Sequence, residues 1–355
     1  MTIDELARQP GEWLRTAGPM SDIVVSSRIR LARNLAGFPF LSRADEQQRQ
    51  DVQQAVRQAI ERAGLGEHAY YFEIDRADAL HRQILVERHL ISKQHAEAEG
   101  CRGVAVDRRE QFAVMVNEED HLRMQVLRSG LQFDAEWEQI SRLDDRVGTQ
   151  ADYAFHSRYG FLTACPTNCG TGLRVSVMLH LPALKLTGQI EKVFRAAREL
   201  RLAVRGLHGE GTEAYGDFYQ VSNQITLGKT ETELIKEFKD LVIPKIVEYE
   251  RRAREALVAS RPVELDDKIW RAYGTLSNAR TINSEEALFW LSQLRMGVAL
   301  GRIDRMAIDT VNDMFLMIQP AHLQNLVGQP LDPEQRGVAR ADYVRQRLGG
   351  NGASG

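Results

Sequence analysis

The chain has 355 residues, room for two domains at roughly 100–200 residues each, and its 43% hydrophobic and 27% charged content is that of an ordinary globular protein with a sizeable core. A formal net charge of −3 excludes a chain-wide basic field for nucleic acid, so any anion binding must come from local arginine placement. Three cysteines give no disulfide framework, the acidic start has no apolar leader segment, and no run reaches the about 18 apolar residues of a membrane helix; a reducing cytoplasm is the expected compartment.

Residues 23–31 read as a strand: Val24 and Val25 are β-branched, and Arg28-Ile29-Arg30-Leu31 alternates with period two, which puts both arginines on one face. A helix is predicted over 44–63, an aromatic-rich strand over 69–74 and a mostly helical stretch over 79–98. Strands over 103–106 and 112–116 flank Asp107-Arg108-Arg109, a hairpin spacing that favours antiparallel pairing. Helix 133–143, strand 173–181, amphipathic helix 190–201 and strand 218–225 follow. Thr230-Glu231-Thr232-Glu233 fits a capping box opening a long helix to about residue 259, interrupted near Pro244.

The character changes at Arg261-Pro262. Beyond it every apolar pattern is helical: 269–276, 285–300, 307–316 and 337–348. The expected organisation is an α+β domain over 1–260, an all-helical domain over 261–348 and a disordered Gly/Ser-rich tail over 349–355. No internal repeat is visible.

Several nucleotide-site signatures are missing. Gly228-Lys229-Thr230 has the end of a phosphate loop, but Asn223 stands where its first glycine belongs. No glycine-rich loop with H-R-D and D-F-G strings occurs, and Cys165 and Cys169 lack a second pair for zinc. What remains is a set of arginines at apparent strand ends or loops: Arg28, Arg30, Arg123, Arg174 and Arg205. Guanidinium forks bind phosphate oxygens bidentately and keep their charge, although any one of them alone also fits a solvated surface. Asn117-Glu118-Glu119-Asp120-His121 is either a polar turn or a carboxylate placed to take a proton or grip a cation, and Glu210, in a glycine-rich loop, has the same two readings. Cys165 is a buried filler or, beside arginines, a favoured thiolate; Cys101 and Cys169 read as structural. His89 by itself reads as an ordinary surface or packed histidine.

Together these strings resemble the phosphagen (guanidino) kinase family. The residues that carry the likeness are Ser27-Arg28-Ile29-Arg30, then Asn117 through Arg123 (N-E-E-D-H-L-R), Cys165 through Arg174 (C-P-T-N-C-G-T-G-L-R), and Arg205-Gly206 through Gly209-Glu210, in the family's order. The resemblance implies a central, largely antiparallel sheet flanked by helices, with ATP and Mg²⁺ as cofactors, the Mg²⁺ held mainly by ATP oxygens. It assigns Arg28, Arg30, Arg123, Arg174 and Arg205 to the nucleotide phosphates, His89 to the adenine side, Glu119 and its partner Glu210 to the guanidinium, and Cys165 to the guanidinium's other side.

Three departures separate the chain from kinases of small guanidines. Only 25 residues precede Ser26 where those enzymes carry a helical domain, Met115 stands in place of their usual tryptophan, and helices follow at the C-terminus. This layout is similar to bacterial protein-arginine kinases. It implies protein substrates with exposed arginines, marking for a Clp protease, action on a stress-gene repressor and an activator protein. The apolar pattern at Trp270, Phe289 and Trp290 suggests a homodimer; neither nucleic acid nor membrane is an expected partner. The subgroup's R-D-x-x-R-A string, tied to phosphoarginine recognition, appears here as Arg336-Gly337-Val338-Ala339-Arg340-Ala341, with Gly337 replacing the acid. Two rival functions stand beside this one: a kinase of free arginine, and an inactive nucleotide-binding adaptor.

Overall fold

The computed structural model describes residues 1–64, 69–206 and 215–349. Its strands are β1 (Val24–Arg33), β2 (Ala69–Glu73), β3 (Gly103–Asp107), β4 (Phe112–Val116), β5 (Leu122–Ser129), β6 (Phe155–His156), β7 (Gly160–Phe161), β8 (Leu173–His180), β9 (Leu202–Gly206) and β10 (Phe218–Asn223). Helices α1 (Ile3–Ala7), α2 (Glu46–Arg62), α3 (Ala79–Glu87), α4 (Lys93–Glu97), α5 (Phe133–Gly148), α6 (Pro182–Leu186), α7 (Ile190–Glu199), α8 (Glu231–Lys236) and α9 (Ile243–Ser260) accompany them. After Arg261 come α10 (Pro262–Asn278), α11 (Ser284–Ala299), α12 (Ile308–Met317), α13 (Pro320–Val327) and α14 (Pro333–Gly349).

Eight strands make one sheet in the order β2-β3-β4-β5-β1-β8-β10-β9, each pairing antiparallel. The period of two divides its faces. Ile29 lies opposite Val126 and Val175, and with Leu31, Met124 and Val177 it forms a buried apolar face covered by α5. Ser27 belongs to that face too, and donates its hydroxyl at 2.6 Å to the buried Glu136 of α5. Arg28 and Arg30 therefore project from the opposite face. The core is continuous with the C-terminal helices, where the Phe218 and Phe315 rings meet edge to face at 4.7 Å. Arg295 of α11 is fully buried, donating to Ser21 O and Asp22 O, each at 2.9 Å.

The expected antiparallel sheet with flanking helices is present, and so is the run of helices after Pro262. Among the described residues four strands, β5, β6, β7 and β9, come in addition to those the sequence patterns suggested. The stretch 79–98 is two helices: α3 ends in a left-handed residue, His89 (φ 59°), and α4 starts afresh with Ser92 as its cap. The Thr230 capping box is present, and the long helix it opens runs through a π-helical segment, Glu237–Val242, just ahead of Pro244. That wider turn accommodates a residue with no N–H to give, so the helix continues where a break was expected.

Candidate active site

The centre of the polar sheet face is built from arginines by register alone. Arg30 pairs with Arg174 of β8 and Gln125 of β5; Arg28 pairs with Ser176; Ala32 pairs with Arg123; and Gln220 of β10 pairs with Arg205. Cross-strand partners share a face, so Arg28, Arg30, Arg123, Arg174 and Arg205 converge on one surface. Neutral groups hold two of them: Arg28 Nη2 donates to Gln220 Oε1 at 2.9 Å and Arg174 Nη2 to Ser222 Oγ at 3.1 Å. Burial, then the positive charge of Arg123 and Arg174, pushes Arg28 down to about 9; burial, then Arg28 and Arg123, drives Arg30 well below the usual guanidinium value. Arg30 Nε is buried and has no hydrogen-bond partner among the described residues. Like charges packed this way are costly without an anion, and a triphosphate supplies both charge and acceptors.

The turn from β4 to β5 carries the acids. Asn117 takes a positive φ of 60°, and its side-chain amide donates to Arg49 O and Cys101 O at 2.8 and 2.9 Å, fixing the turn's first corner. Glu118 turns inward. Its Oε1 lies 2.6 Å from Arg123 Nη1 and accepts the Ser92 hydroxyl, and its Oε2 accepts the Glu119 N–H at 3.0 Å. Burial opposes its charge, but Arg123 and these bonds outweigh burial and hold it down to about 2. Glu119 is half-buried, and its carboxyl is raised by burial and then by Asp120 and Glu118, while Arg123 and Arg174 pull it the other way. Two adjacent carboxylates are thus separated in character, one a fixed ion-pair partner and the other a better proton acceptor.

Asp120 joins this turn to the cysteine loop. One of its oxygens accepts from Asn34 Nδ2 at 2.6 Å and from the Ala164 N–H at 2.7 Å. The residue after Glu119 is thereby tied to the residue before Cys165. Cys165 is half-buried, its Sγ 3.0 Å from Thr167 Oγ1. The loop re-enters the sheet through Gly172, at φ 63°, whose carbonyl accepts from Ala32 N–H; a Cβ there would sit 2.6 Å from Ala32 O, so only glycine lets the backbones come this close. Cys169 contacts Thr163, and Cys101 lies beside Gln53, away from the arginine face.

His89 reaches the site through its main chain: its carbonyl accepts from Gln125 Nε2 at 2.7 Å, and its ring meets Trp13 edge to face at 4.7 Å. Glu210 lies outside the described residues, in the segment that follows Arg205-Gly206. Glu118, Gln125 and Asp120 are site residues that the sequence reading did not single out. Gln125 was within reach, since it stands two residues from Arg123 and strand alternation puts both on one face. The Arg336–Ala341 string is not a simple basic surface. Arg340 is buried and donates to Ile318 O and Ile282 O, and Gly337 packs where a Cβ would lie 2.5 Å from Thr281 Oγ1.

Residues 51–253 match the family model described as ATP:guanido phosphotransferase, C-terminal catalytic domain, and residues 262–354 match that of the Protein-arginine kinase McsB C-terminal domain. The chain is 44% identical over 345 residues to the protein-arginine kinase of Halothermothrix orenii, covering 97% of this chain and 98% of that one. It is 42% identical over 338 residues to the protein-arginine kinase of Geobacillus stearothermophilus, covering 95% and 93%. Among solved structures, lombricine kinase aligns with a TM-score of 0.59 at 27% identity, over 69% of this chain and 70% of that one. The duplicated taurocyamine kinase from Schistosoma mansoni, with bound transition state analog components, aligns with a TM-score of 0.59 at 26% identity, over 70% of this chain and 36% of that one.

Proposed function

The chain belongs to the protein-arginine kinases of the phosphagen (guanidino) kinase family, and from that premise we propose how its own residues divide the work of moving the γ-phosphoryl group of ATP onto arginine side chains of other proteins. A guanidinium nitrogen attacks the γ-phosphorus, the bond to the β,γ-bridging oxygen breaks, and the proton lost by the guanidinium passes to a carboxylate. The products are ADP, a phosphoarginine and a proton. Guanidinium is a poor nucleophile because its lone pairs are delocalised, so one nitrogen must be oriented and deprotonated. Glu119, with Glu210, has that role in this proposal, and Cys165 adds negative charge on the far side of the group. Arg28, Arg30, Arg123, Arg174 and Arg205 neutralise the phosphates and His89 faces the adenine. Mg²⁺ would be held mainly by ATP oxygens and would neutralise phosphate charge there, and positioning with electrostatics supplies most of the catalysis.

The observation that carries this reading is the arginine face itself: like charges gathered on one surface, Arg30 Nε buried with no hydrogen-bond partner among the described residues, and a raised carboxylate in their field. The proposal extends to organisation and biology. Residues 1–260 form the catalytic unit and 261–348 a helical one. Modified proteins go to a Clp protease, one substrate is a stress-gene repressor, an activator protein takes part, and the setting is the cytoplasm. Exposed Trp270 and Phe289 favour a homodimer.

Mass spectrometry under non-acidic conditions, after incubation with Mg-ATP and casein, tests the central claim, because the phosphoramidate bond is acid-labile. Phosphate on casein arginines, absent with Glu119→Gln, supports the proposal. Phosphate on free arginine alone would replace it with small-guanidine chemistry, and transfer to neither would favour the adaptor.

A further inference from the structure

The segment Glu87-Arg88-His89 is held by buried contacts that the phosphoryl-transfer reading leaves unused. His89 occupies a left-handed conformation that side chains other than glycine adopt at a cost, so surrounding bonds must hold it there. Glu87 is buried at the start of α13: Oε1 accepts the Ala321 N–H at 3.0 Å, and Oε2 accepts the His322 N–H at 3.1 Å and His322 Nδ1 at 2.7 Å. The other nitrogen of that ring, Nε2, faces Arg88 Nη1 at 3.4 Å. Burial lowers His322, which keeps its ring neutral, with Nδ1 donating to Glu87 and Nε2 accepting from Arg88.

Arg88 is fully buried. It pairs with Glu110 at 2.5 Å and donates from Nη2 to Gln9 O at 2.8 Å. The contacts on either side of His89 therefore reach the N-terminal segment, the β3–β4 turn and, 235 residues away, a helix of the C-terminal region. On its inner side His89 is bonded through its carbonyl to Gln125, the cross-strand neighbour of Arg30.

We propose that Glu87, His322 and Arg88 are positioning residues for the nucleotide: they set His89 against the arginine face, so that α13 completes the ATP site from behind. This rests on the reading of His89 as the adenine-side residue. It gives the helical region a part in ATP binding that is separate from any role in binding proteins.

Steady-state kinetics of Glu87→Gln and His322→Asn, each alone and combined with His89→Ala in the full chain, tests the proposal, with melting curves run alongside. The expected result is an ATP KM raised roughly tenfold, about one net hydrogen bond's worth of positioning, with kcat and the KM for protein substrate unmoved. In the His89→Ala background the second substitution should add nothing. An unchanged ATP KM in Glu87→Gln and His322→Asn, while His89→Ala raises it, overturns the proposal alone. So does an effect that spreads equally over kcat and both KM values, or one that persists without the His89 ring. If His89→Ala itself leaves the ATP KM unchanged, the adenine reading falls and the proposal falls with it.

Discussion

Arg123 reaches back five residues to Glu118, Nη1 to Oε1 at 2.6 Å, and the other oxygen of the same carboxylate takes the Glu119 N–H. One buried anion thus fixes both an arginine proposed to face the phosphates and the backbone of the proposed base. Glu118→Gln keeps the shape and removes the charge. Breaking a buried pair from one side leaves the other charge uncompensated. The variant is expected to raise the ATP KM and lower kcat, each by roughly tenfold, the effect of losing one charge-assisted contact. Initial rates with ATP and protein varied in turn measure both, and wild-type values would sever the link.

Glu119→Gln should lower turnover by roughly 10²-fold or more, the range of a general base. The pH dependence follows from the raised carboxyl of Glu119. Only the ionised form accepts a proton, so kcat falls as pH falls through that raised pKa. The acid limb is expected above the ordinary carboxylate range. Asp120 and Glu118 contribute to the rise, so Asp120→Asn should shift the limb to lower pH. A limb unmoved by Asp120→Asn would argue against this electrostatic account.

Arg30→Met should uncouple stability from function. The arginine is buried among like charges, with Nε unpartnered among the described residues, so an apolar side chain of similar length removes repulsion and an orphaned donor. A melting temperature roughly 1–2 °C higher is expected, corresponding to about 1 kcal/mol in a chain of 355 residues. ATP affinity by calorimetry should fall at least about tenfold. A variant that melts lower and still binds ATP normally would show that Arg30 is a structural residue.

Glu136 gives a stability prediction with a definite sign. Burial lifts its carboxyl to about 8, with Ser27 opposing. A carboxyl raised in the folded state binds more protons there than in the unfolded chain. Its favourable contribution is therefore complete at low pH and lost as pH rises toward about 8. Glu136→Gln cannot ionise and still accepts the Ser27 hydroxyl. Thermal melts from pH 5 to 9 should place the two proteins together at the acid end, with the variant increasingly more stable toward the alkaline end. Parallel curves would show that Glu136 does not titrate in this window.

Much of the sheet was legible because its strands alternate openly, and the site strings were legible because short motifs place arginines and acids at fixed spacing. The resemblance pointed to Glu119, but the role of Glu118 as an inward ion-pair partner was not legible. Which of two adjacent carboxylates turns inward depends on Ser92 and Arg123, and neither position announces that contact. The break after α3 was also hidden: Leu85 through Ser92 contains neither glycine nor proline, and the chain turns there because His89 adopts a left-handed backbone among buried partners. The tie between Asp120 and Ala164 spans 44 residues and has no local signal at all. Local pattern reports which face a side chain takes; long-range partners decide what that face does.

The contacts of the first residues with the last helices bear on when the protein becomes complete during synthesis. Asn312 donates to Leu14 O at 2.7 Å, and Asp4 is bonded to Asn325, so residues 4 and 14 find these two partners only after some 300 more residues have left the ribosome. Contacts of such sequence separation close late and slowly. Until then His322 has not emerged, Glu87 and Arg88 lack the side chain between them, and a growing chain that already contains every proposed catalytic residue has yet to finish its own scaffold.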